Sequence, residues 1–247
     1  MKIKLGALIF SLEIKNERWR NFLMGKYKLF LIRDGLEADF YISVYPQKRK
    51  RYSLLFSPDG MKAKIYTPLS LRRFKTFDFF LKTALATFFL DKKGFFLHAS
   101  ALRKNGQGLI FAGKKKSGKS TLVKLASNLK PLNDDFAIIR KIKNKFFVFS
   151  SPFHETNPIA KTNLKVVVDK LYFLNQSNSN SVKVVKKENC LPKIASLILS
   201  PLSLSRLNKN QEKLILEKIW TNANDFVQTV PCFMLYFKKD QSFLKFL

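Results

Sequence analysis

Apolar and polar positions follow a different pattern in the first third of the chain than in the rest. Between residues 1 and 73 short apolar runs are separated by turn residues, which is typical of strands. These runs predict strands at 5–10, 27–32, 40–45, 52–56 and 63–66. From Phe74 to Leu90 the period becomes that of a helix with one wide apolar face. We therefore predict a β-rich N-terminal region over 1–73, packed on a second domain that spans 74–247.

The second domain is predicted to combine strand hairpins with helices. Strands are expected at 95–101, 108–112, 136–140, 145–150, 166–174, 231–237 and 243–247, and helices at 191–199 and 213–220. Asn105-Gly106 favours a tight hairpin turn between the first two strands. Apolar positions 122, 125, 126 and 129 follow helical spacing, and Pro131 is expected to end that helix. The fold class we predict is α/β (α+β), with a mixed sheet rather than a mainly parallel one.

The composition permits a sizeable core and raises the question of an acidic partner. Hydrophobic residues make up 46% of the chain, and 46 Lys and Arg against 17 Asp and Glu give a net charge of +29. Such a charge attracts nucleic acid, anionic lipid or acidic ligands. The basic residues are dispersed, however, and no recognition-helix, zinc or RNA-binding-sheet signature accompanies them. Nucleic acid is therefore the weaker candidate, and compositional bias explains the charge equally well.

Membrane insertion and metal binding through cysteines are both disfavoured by the sequence. The longest apolar segment, 77–90, is interrupted by Asp78 and Lys82 and is too short to span a bilayer. Cys190 and Cys232 lack the spacing of metal ligands and fit a reducing compartment. We therefore predict a cytoplasmic protein without a membrane span.

Residues 113–120 read Gly-Lys-Lys-Lys-Ser-Gly-Lys-Ser, a full phosphate-binding loop (P-loop) motif. Its glycines let successive N–H groups point at a phosphate, Lys119 can reach the β- and γ-phosphates, and the Ser120 hydroxyl can bind Mg²⁺. A short apolar run precedes the motif and a helical pattern follows it, which is the context that the motif requires. We predict that this loop binds a nucleoside triphosphate; the alternative is a lysine-rich turn without a ligand. The predicted contact residues are Gly113, Lys114, Lys115, Lys116, Ser117, Gly118, Lys119, Ser120 and Thr121.

Two adjacent carboxylates, Asp134 and Asp135, follow the predicted loop and helix in a chain that has few acids. Phosphoryl transfer needs a carboxylate near Mg²⁺ and a group that orients or deprotonates the attacking hydroxyl. Neighbouring Asp residues can divide these roles, although taken alone they would more simply form a turn or cap. His98, on the strand before the loop strand, is by itself read most simply as a core histidine.

Four runs of the sequence resemble the HPr serine kinase family, which has a phosphoenolpyruvate carboxykinase-like P-loop fold with a mixed sheet. The runs are 96–102 with its Leu-His-Ala-Ser, 108–113, 117–121 and 133–135 with its Asp-Asp pair. The chain is most similar to short HPr-kinase-like proteins of the kind associated with peptide-modification gene clusters. The specific resemblance covers roughly a quarter of the chain. A looser fit extends through 151–153 and 231–237.

The resemblance implies a role for each matching residue. Lys119 would bind phosphate, Ser120 and Asp135 would help to hold Mg²⁺, Asp134 or Asp135 would orient or deprotonate an acceptor serine, and His98 would lie near the phosphates. The sequence departs from the family in its lysine-rich loop interior, 114–116, and in the lack of a counterpart to the C-terminal segment that HPr kinases use for assembly and substrate. HPr itself is therefore in doubt as the substrate.

Three functions follow from these features. The first is an ATP- and Mg²⁺-dependent kinase that acts on a Ser or Thr hydroxyl of an unidentified protein or peptide. The second is a nucleotide-binding regulator or assembly partner without catalysis, and the third is a nucleic-acid-binding protein. The acceptor, the use of pyrophosphate in place of ATP, and the oligomeric state, a homo-oligomer included, stay open.

Overall fold

The N-terminal part of the chain forms a six-stranded mixed sheet. The computed structural model describes residues 1–33, 35–47, 52–68, 74–113, 116–126, 128–153, 163–200, 202 and 209–247. The first elements are β1 (Lys2–Leu5), β2 (Leu8–Ile14), α1 (Glu17–Lys26), β3 (Leu31–Ile32), β4 (Phe40–Gln47), β5 (Ser53–Phe56) and β6 (Lys62–Pro68). The strand order is β3-β1-β2-β4-β6-β5. Strands β2, β4 and β6 are parallel, and the other pairs are antiparallel.

Two predictions in this region are wrong in detail. The apolar run 5–10 is not one strand, because Gly6 and Ala7 turn the chain with φ of 54° and 64° between β1 and β2. The segment 27–32 is strand only at Leu31–Ile32 and a short 3-10 helix at Lys28–Phe30. Helix α1 was not predicted; Asn16 caps it by accepting a hydrogen bond from the Trp19 amide at 3.1 Å.

The remainder of the chain builds an eight-stranded mixed sheet with helices. Its elements are α2 (Phe74–Leu90), β7 (Gly94–Lys104), β8 (Gln107–Ala112), α3 (Lys119–Leu125), β9 (Lys130–Asn133), β10 (Phe136–Ile142), β11 (Lys145–Phe149), β12 (Lys165–Gln176), β13 (Ser181–Val184), α4 (Lys187–Leu199), α5 (Lys209–Thr229) and β14 (Cys232–Phe237). The order is β11-β10-β7-β8-β12-β14-β13, with β9 beside β7. The parallel strands are β8, β12 and β14.

Five of these strands close into a ring. The first residues of β12 pair with β11 as well as with β8, so Val167 has Phe147 on one side and Gln107 on the other. The predicted hairpin turn is confirmed, because Asn105 and Gly106 have φ of 49° and 82° between β7 and β8. The fold is thus mixed α/β with two mixed sheets, as the hairpin signals indicate.

Two further predictions are corrected in this half. Helix α3 ends at Leu125 instead of reaching Pro131, because residues 130–133 leave it and pair with β7 as strand β9. The C-terminal segment 243–247 is not a strand. It belongs to a 3-10 helix, Gln241–Phe246, which Asp240 caps and whose Phe243 packs on Phe237 with ring centroids 5.9 Å apart.

Helix α2 joins the two sheets through an aromatic core. Phe88 stacks on Phe40 with ring centroids 4.3 Å apart, and Phe89 lies 5.7 Å from Phe10 and 5.3 Å from Phe96. Large rings of one helix thus pack on residues of both sheets. The division of the chain at residue 73 stays a prediction. None of the helices in the described ranges is long and apolar enough to cross a membrane.

Cys190 and Cys232, far apart in sequence, lie against each other between α4 and β14. Both are buried free thiols; the Cys190 thiol donates to the Val185 carbonyl and the Cys232 thiol donates to the Val230 carbonyl, each at 3.5 Å. Burial raises the pKa of both thiols. This arrangement is one of packing, because the neutral thiol is the form that the environment favours.

Candidate functional site

The register of β7 and β10 brings the histidine and the carboxylate pair together. His98 lies opposite Phe136, and their rings stack with centroids 5.2 Å apart. Asp134 and Asp135 form the turn between β9 and β10, directly before Phe136. His98 Nε2 lies 3.2 Å from Asp135 Oδ1, so the imidazole fixes the orientation of this carboxylate.

The glycines of the loop occupy positions that a larger residue would not tolerate. Gly118 has a φ of +99°, and a Cβ there would lie 2.7 Å from Cζ of Phe237. A Cβ at Gly113 would collide with the Ser117 side chain. Lys116 adopts a φ of 68°, a left-handed conformation that costs a non-glycine residue about 1–2 kcal/mol. The loop is therefore held in a tight, strained turn, as a backbone that curls around an anion requires.

Lys119 and Gln176 brace this turn from two sides. Lys119 is 8% exposed, and its ammonium donates a hydrogen bond to the Gly113 carbonyl at 2.7 Å, which ties the two ends of the loop together. Gln176, at the end of β12, donates to the Lys116 carbonyl at 2.9 Å. Ser120 and Thr121, at the start of α3, are exposed.

One cleft of about 460 Å³ contains most of the predicted site. Its lining includes His98, Lys116, Ser117, Gly118, Lys119, Ser120, Thr121, Asp134 and Asp135. Gly113 lines the adjoining cleft on the other side of the loop. Lys114 and Lys115 lie outside the described residues. The loop, the histidine and the carboxylate pair, which are separated in sequence, thus face a single space.

Three lining residues were missed by the sequence analysis: Phe136, Gln176 and Lys239. Phe136 reaches the cleft because β10 pairs with β7, and Gln176 reaches it because β12 pairs with β8. Local sequence carries no signal for such a juxtaposition. Lys239 follows β14 in a chain with many lysines, where one more cation does not stand out.

A partly buried ion cluster lies behind the aromatic wall of the cleft. Lys82 Nζ is 5.0 Å from the centre of the Phe136 ring and 3.1 Å from the Asp78 carboxylate, which also binds Lys26. Burial lowers the pKa of Lys26, although Asp78 opposes that shift. Two cations thus share one carboxylate close to the ring that supports His98, and the electrostatic environment on this side is positive.

The polar groups of the loop and of the turn between β9 and β10 are of the chemical types that bind phosphate and Mg²⁺. Ser117 Oγ and both side-chain atoms of Asn133 are buried and make no hydrogen bond within the described part of the chain. The Ser120 hydroxyl and the Asp135 carboxylate, which are oxygen donors suited to Mg²⁺, line the same cleft. In the described ranges no group of three or more His, Cys, Asp or Glu side chains is placed to hold a metal. A Mg²⁺ ion held by Ser120 and Asp135 would take further oxygen ligands from phosphate or water.

No curated protein matches this chain. Among solved structures, the HPr(Ser) kinase/phosphatase from Coxiella burnetii matches with 11% identity and a TM-score of 0.28, over 36% of this chain and 76% of that chain. Geometry shared at that level is too slight to support a conclusion on fold or function. The model of the SynChlorMet cassette protein ScmC family matches residues 81–245, which include both the loop and the carboxylate pair, and the chain belongs to this family.

Proposed function

We propose that the chain binds ATP with Mg²⁺ and transfers the γ-phosphoryl group to a Ser or Thr hydroxyl of a protein or peptide. The eight-stranded sheet would then be a phosphoenolpyruvate carboxykinase-like P-loop domain of the HPr kinase type. The observation that supports this most directly is the cleft in which Lys119, Ser120 and the Asp134–Asp135 pair meet. A phosphate cradle and a carboxylate pair in one space are what phosphoryl transfer requires.

The loop would hold the triphosphate through its backbone and one cation. The positive φ angles of Lys116 and Gly118 curl the backbone so that its N–H groups would point toward an anion, and the buried Ser117 Oγ would offer a hydroxyl donor. The Lys119 ammonium, which donates to the Gly113 carbonyl, can donate to phosphate oxygens from the same position. Its low exposure strengthens the interaction, since a charge pair is screened less away from water.

The Ser120 hydroxyl and the Asp135 carboxylate would hold Mg²⁺, which supplies positive charge to the β- and γ-phosphate oxygens. His98 contacts Asp135 through one carboxylate oxygen, Oδ1, and thereby keeps that carboxylate facing the cleft. This leaves Asp134, which is 3% exposed, as the group that orients the acceptor hydroxyl and takes its proton. The hydroxyl oxygen then bonds to the γ-phosphorus as the bond to ADP breaks, and ADP leaves with the electron pair.

Phosphate transfer from radiolabelled ATP to a library of serine-centred nonapeptides tests the proposal. Lys119→Ala should weaken ATP binding by about 100-fold or more, since charge-assisted hydrogen bonds to phosphate are lost. Asp134→Asn should keep ATP affinity and lower the transfer rate by about 10²–10⁴-fold, the usual worth of a general base. Lys124→Ala, on the exposed side of α3, is the matched control and should change neither quantity.

The same assay separates the competing functions. ATP binding that needs Lys119, with no phosphopeptide or ADP above background, would identify a nucleotide-binding regulator instead. If Asp134→Asn and Asp135→Asn both transfer phosphate at the parental rate, the assigned roles are wrong.

A further inference from the structure

A second, larger cleft adjoins the polar one across the loop. It has a volume of about 790 Å³ and lies at the carboxyl ends of the parallel strands β8 and β12, where α/β sheets commonly bind ligands. The two clefts share Lys116, Ser117 and Gln176. The hydrogen bond from Gln176 to the Lys116 carbonyl therefore forms the ridge between them.

The two clefts differ in chemistry. The larger one has a mainly apolar wall from Phe173, Leu174 and Met234 of the sheet and from Pro192 and Leu197 of α4. The polar one holds the carboxylate pair, the histidine and the start of α3. The larger cleft can take one or two apolar side chains, because ligand cavities of this size bury a small molecule or a short peptide segment.

The positive charges of the larger cleft favour an apolar ligand that also carries a negative charge. Lys116 and Lys193 line it, and no Asp or Glu is among its lining residues in the described part of the chain. Lys193 Nζ lies 5.2 Å from the centre of the Phe173 ring, so a cation is held directly against the apolar wall. A nucleotide base would use the wall alone, whereas a segment with an apolar side chain and a carboxylate would use both the wall and Lys193.

We propose that this cleft binds the acceptor as a polypeptide segment in which an apolar residue and an acidic residue lie close to the phosphorylated Ser or Thr. The inference rests on the proposed kinase function, because the hydroxyl has to reach Asp134 across the Lys116–Gln176 ridge. The apolar side chain packs on Phe173 and Met234, and the acidic one pairs with Lys193. The net charge of +29 favours the approach of such a segment.

Peptide binding without catalysis tests the inference. The 247-residue protein is mixed with an equimolar library of nonapeptides that have a central Ser and randomised flanks, and the retained peptides are identified by mass spectrometry. We expect enrichment of Leu, Ile, Phe or Met together with Asp or Glu. Lys193→Glu should replace the acidic preference by a basic one, because it reverses the charge at the wall.

A cleft-filling variant identifies where the peptide binds. Ser196 is exposed on α4 and lines the cleft, so Ser196→Trp can fill it without disturbing the core. It should weaken binding of the enriched peptides by about tenfold or more, equal to about 1.4 kcal/mol, and leave ATP affinity within about twofold. Asn189→Trp, exposed on the same helix and outside the cleft, is the control that should bind as the parent does.

The outcomes that would overturn the inference differ from those that would overturn the kinase function. A library without apolar and acidic enrichment, or peptide binding that Ser196→Trp leaves unchanged, excludes this cleft as the acceptor site. Loss of ATP affinity in Ser196→Trp equal to that in Lys119→Ala would assign the cleft to the nucleoside. If the parent binds peptides selectively but transfers no phosphate, the result supports the cleft as a peptide-binding site and contradicts only the proposed kinase function.

Discussion

The two sheets of this protein pack on one hydrophobic core, but the residues of the predicted site lie in only one half of the chain. All described residues of the predicted site lie on β7, on α3, in the loop that follows β8 and in the turn between β9 and β10, whereas the six-stranded sheet contributes none of them. The segment that matches the ScmC family begins at residue 81, within α2, so the strands of the six-stranded sheet lie outside it. The first sheet thus covers the aromatic face of α2, and the second half of the chain carries the residues of the proposed site.

This comparison shows how burial and function can be separated in one chain. The N-terminal strands pack Phe10 and Phe40 against α2, and the neighbouring face of α2 packs on Phe96 of β7, the strand that carries His98. We therefore expect the first sheet to influence the site mainly through stability. Substitutions in the two sheets should affect different measurements, and that separation can be tested.

The largest effect should come from the aromatic core. Phe88 is fully buried between the sheets, so Phe88→Ala should lower the free energy of unfolding by about 3–5 kcal/mol through lost burial and a residual cavity. Phe79→Ala, on the same helix and 39% exposed, should cost about 1 kcal/mol or less. Urea denaturation measures both. If folded Phe88→Ala protein lost most of its ATP affinity, the two sheets would not be separable in this way.

An intermediate effect is expected at the loop glycine. Gly118→Ala places a methyl group against Phe237 at a φ of +99°, so it should cost about 1–3 kcal/mol and weaken ATP binding by about tenfold or more. Gly106 also has a positive φ, of +82°, but has open space around it. Gly106→Ala should therefore lose about 1 kcal/mol with unchanged ATP affinity. Equal ATP affinities in the two variants would contradict a role for the loop turn in binding phosphate.

The smallest effect concerns the cysteine pair, which belongs to the eight-stranded half but not to its site. Burial raises the pKa of Cys190 and Cys232 above the ordinary thiol value of 9.0. Each neutral thiol therefore contributes stability that is complete below that value and is lost as the pH rises through the folded-state pKa. Iodoacetamide at pH 8 should leave both thiols of the native protein unlabelled and label both in urea. Rapid native labelling would indicate a reactive pair instead.

Much of the strand pattern could be predicted from the sequence because it is local. The Asn105-Gly106 turn, the helical face of 74–90 and the loop motif all depend on neighbouring residues. Three errors arose where tertiary contacts decide the conformation. Residues 130–133 leave helical spacing to pair with β7, Phe243 turns inward onto Phe237, and polar residues of α1 conceal the buried pair Trp19 and Leu23.

The candidate site was predictable in part for the same reason. The loop and the Asp pair can each be recognised from a few consecutive residues, and the structure brings both into one cleft. The contact of His98 with Asp135 depends on the register of β7 and β10, and that of Gln176 with Lys116 depends on β12 following β8. The apolar cleft under α4 is formed by residues from four separate segments, and no single stretch of sequence signals it.

The ring of five strands has a consequence for the order in which the chain can fold during synthesis. Strand β8 and the loop after it leave the ribosome well before β12, the strand that pairs with β8 and β11 and closes the ring. Until then the edge of β8 remains open, and long-range strand pairing of this kind is slow and prone to association. We expect the nascent chain to acquire ATP affinity only after Gln176 has emerged. The loop is translated early, but it would reach its binding conformation only after β12 has been made.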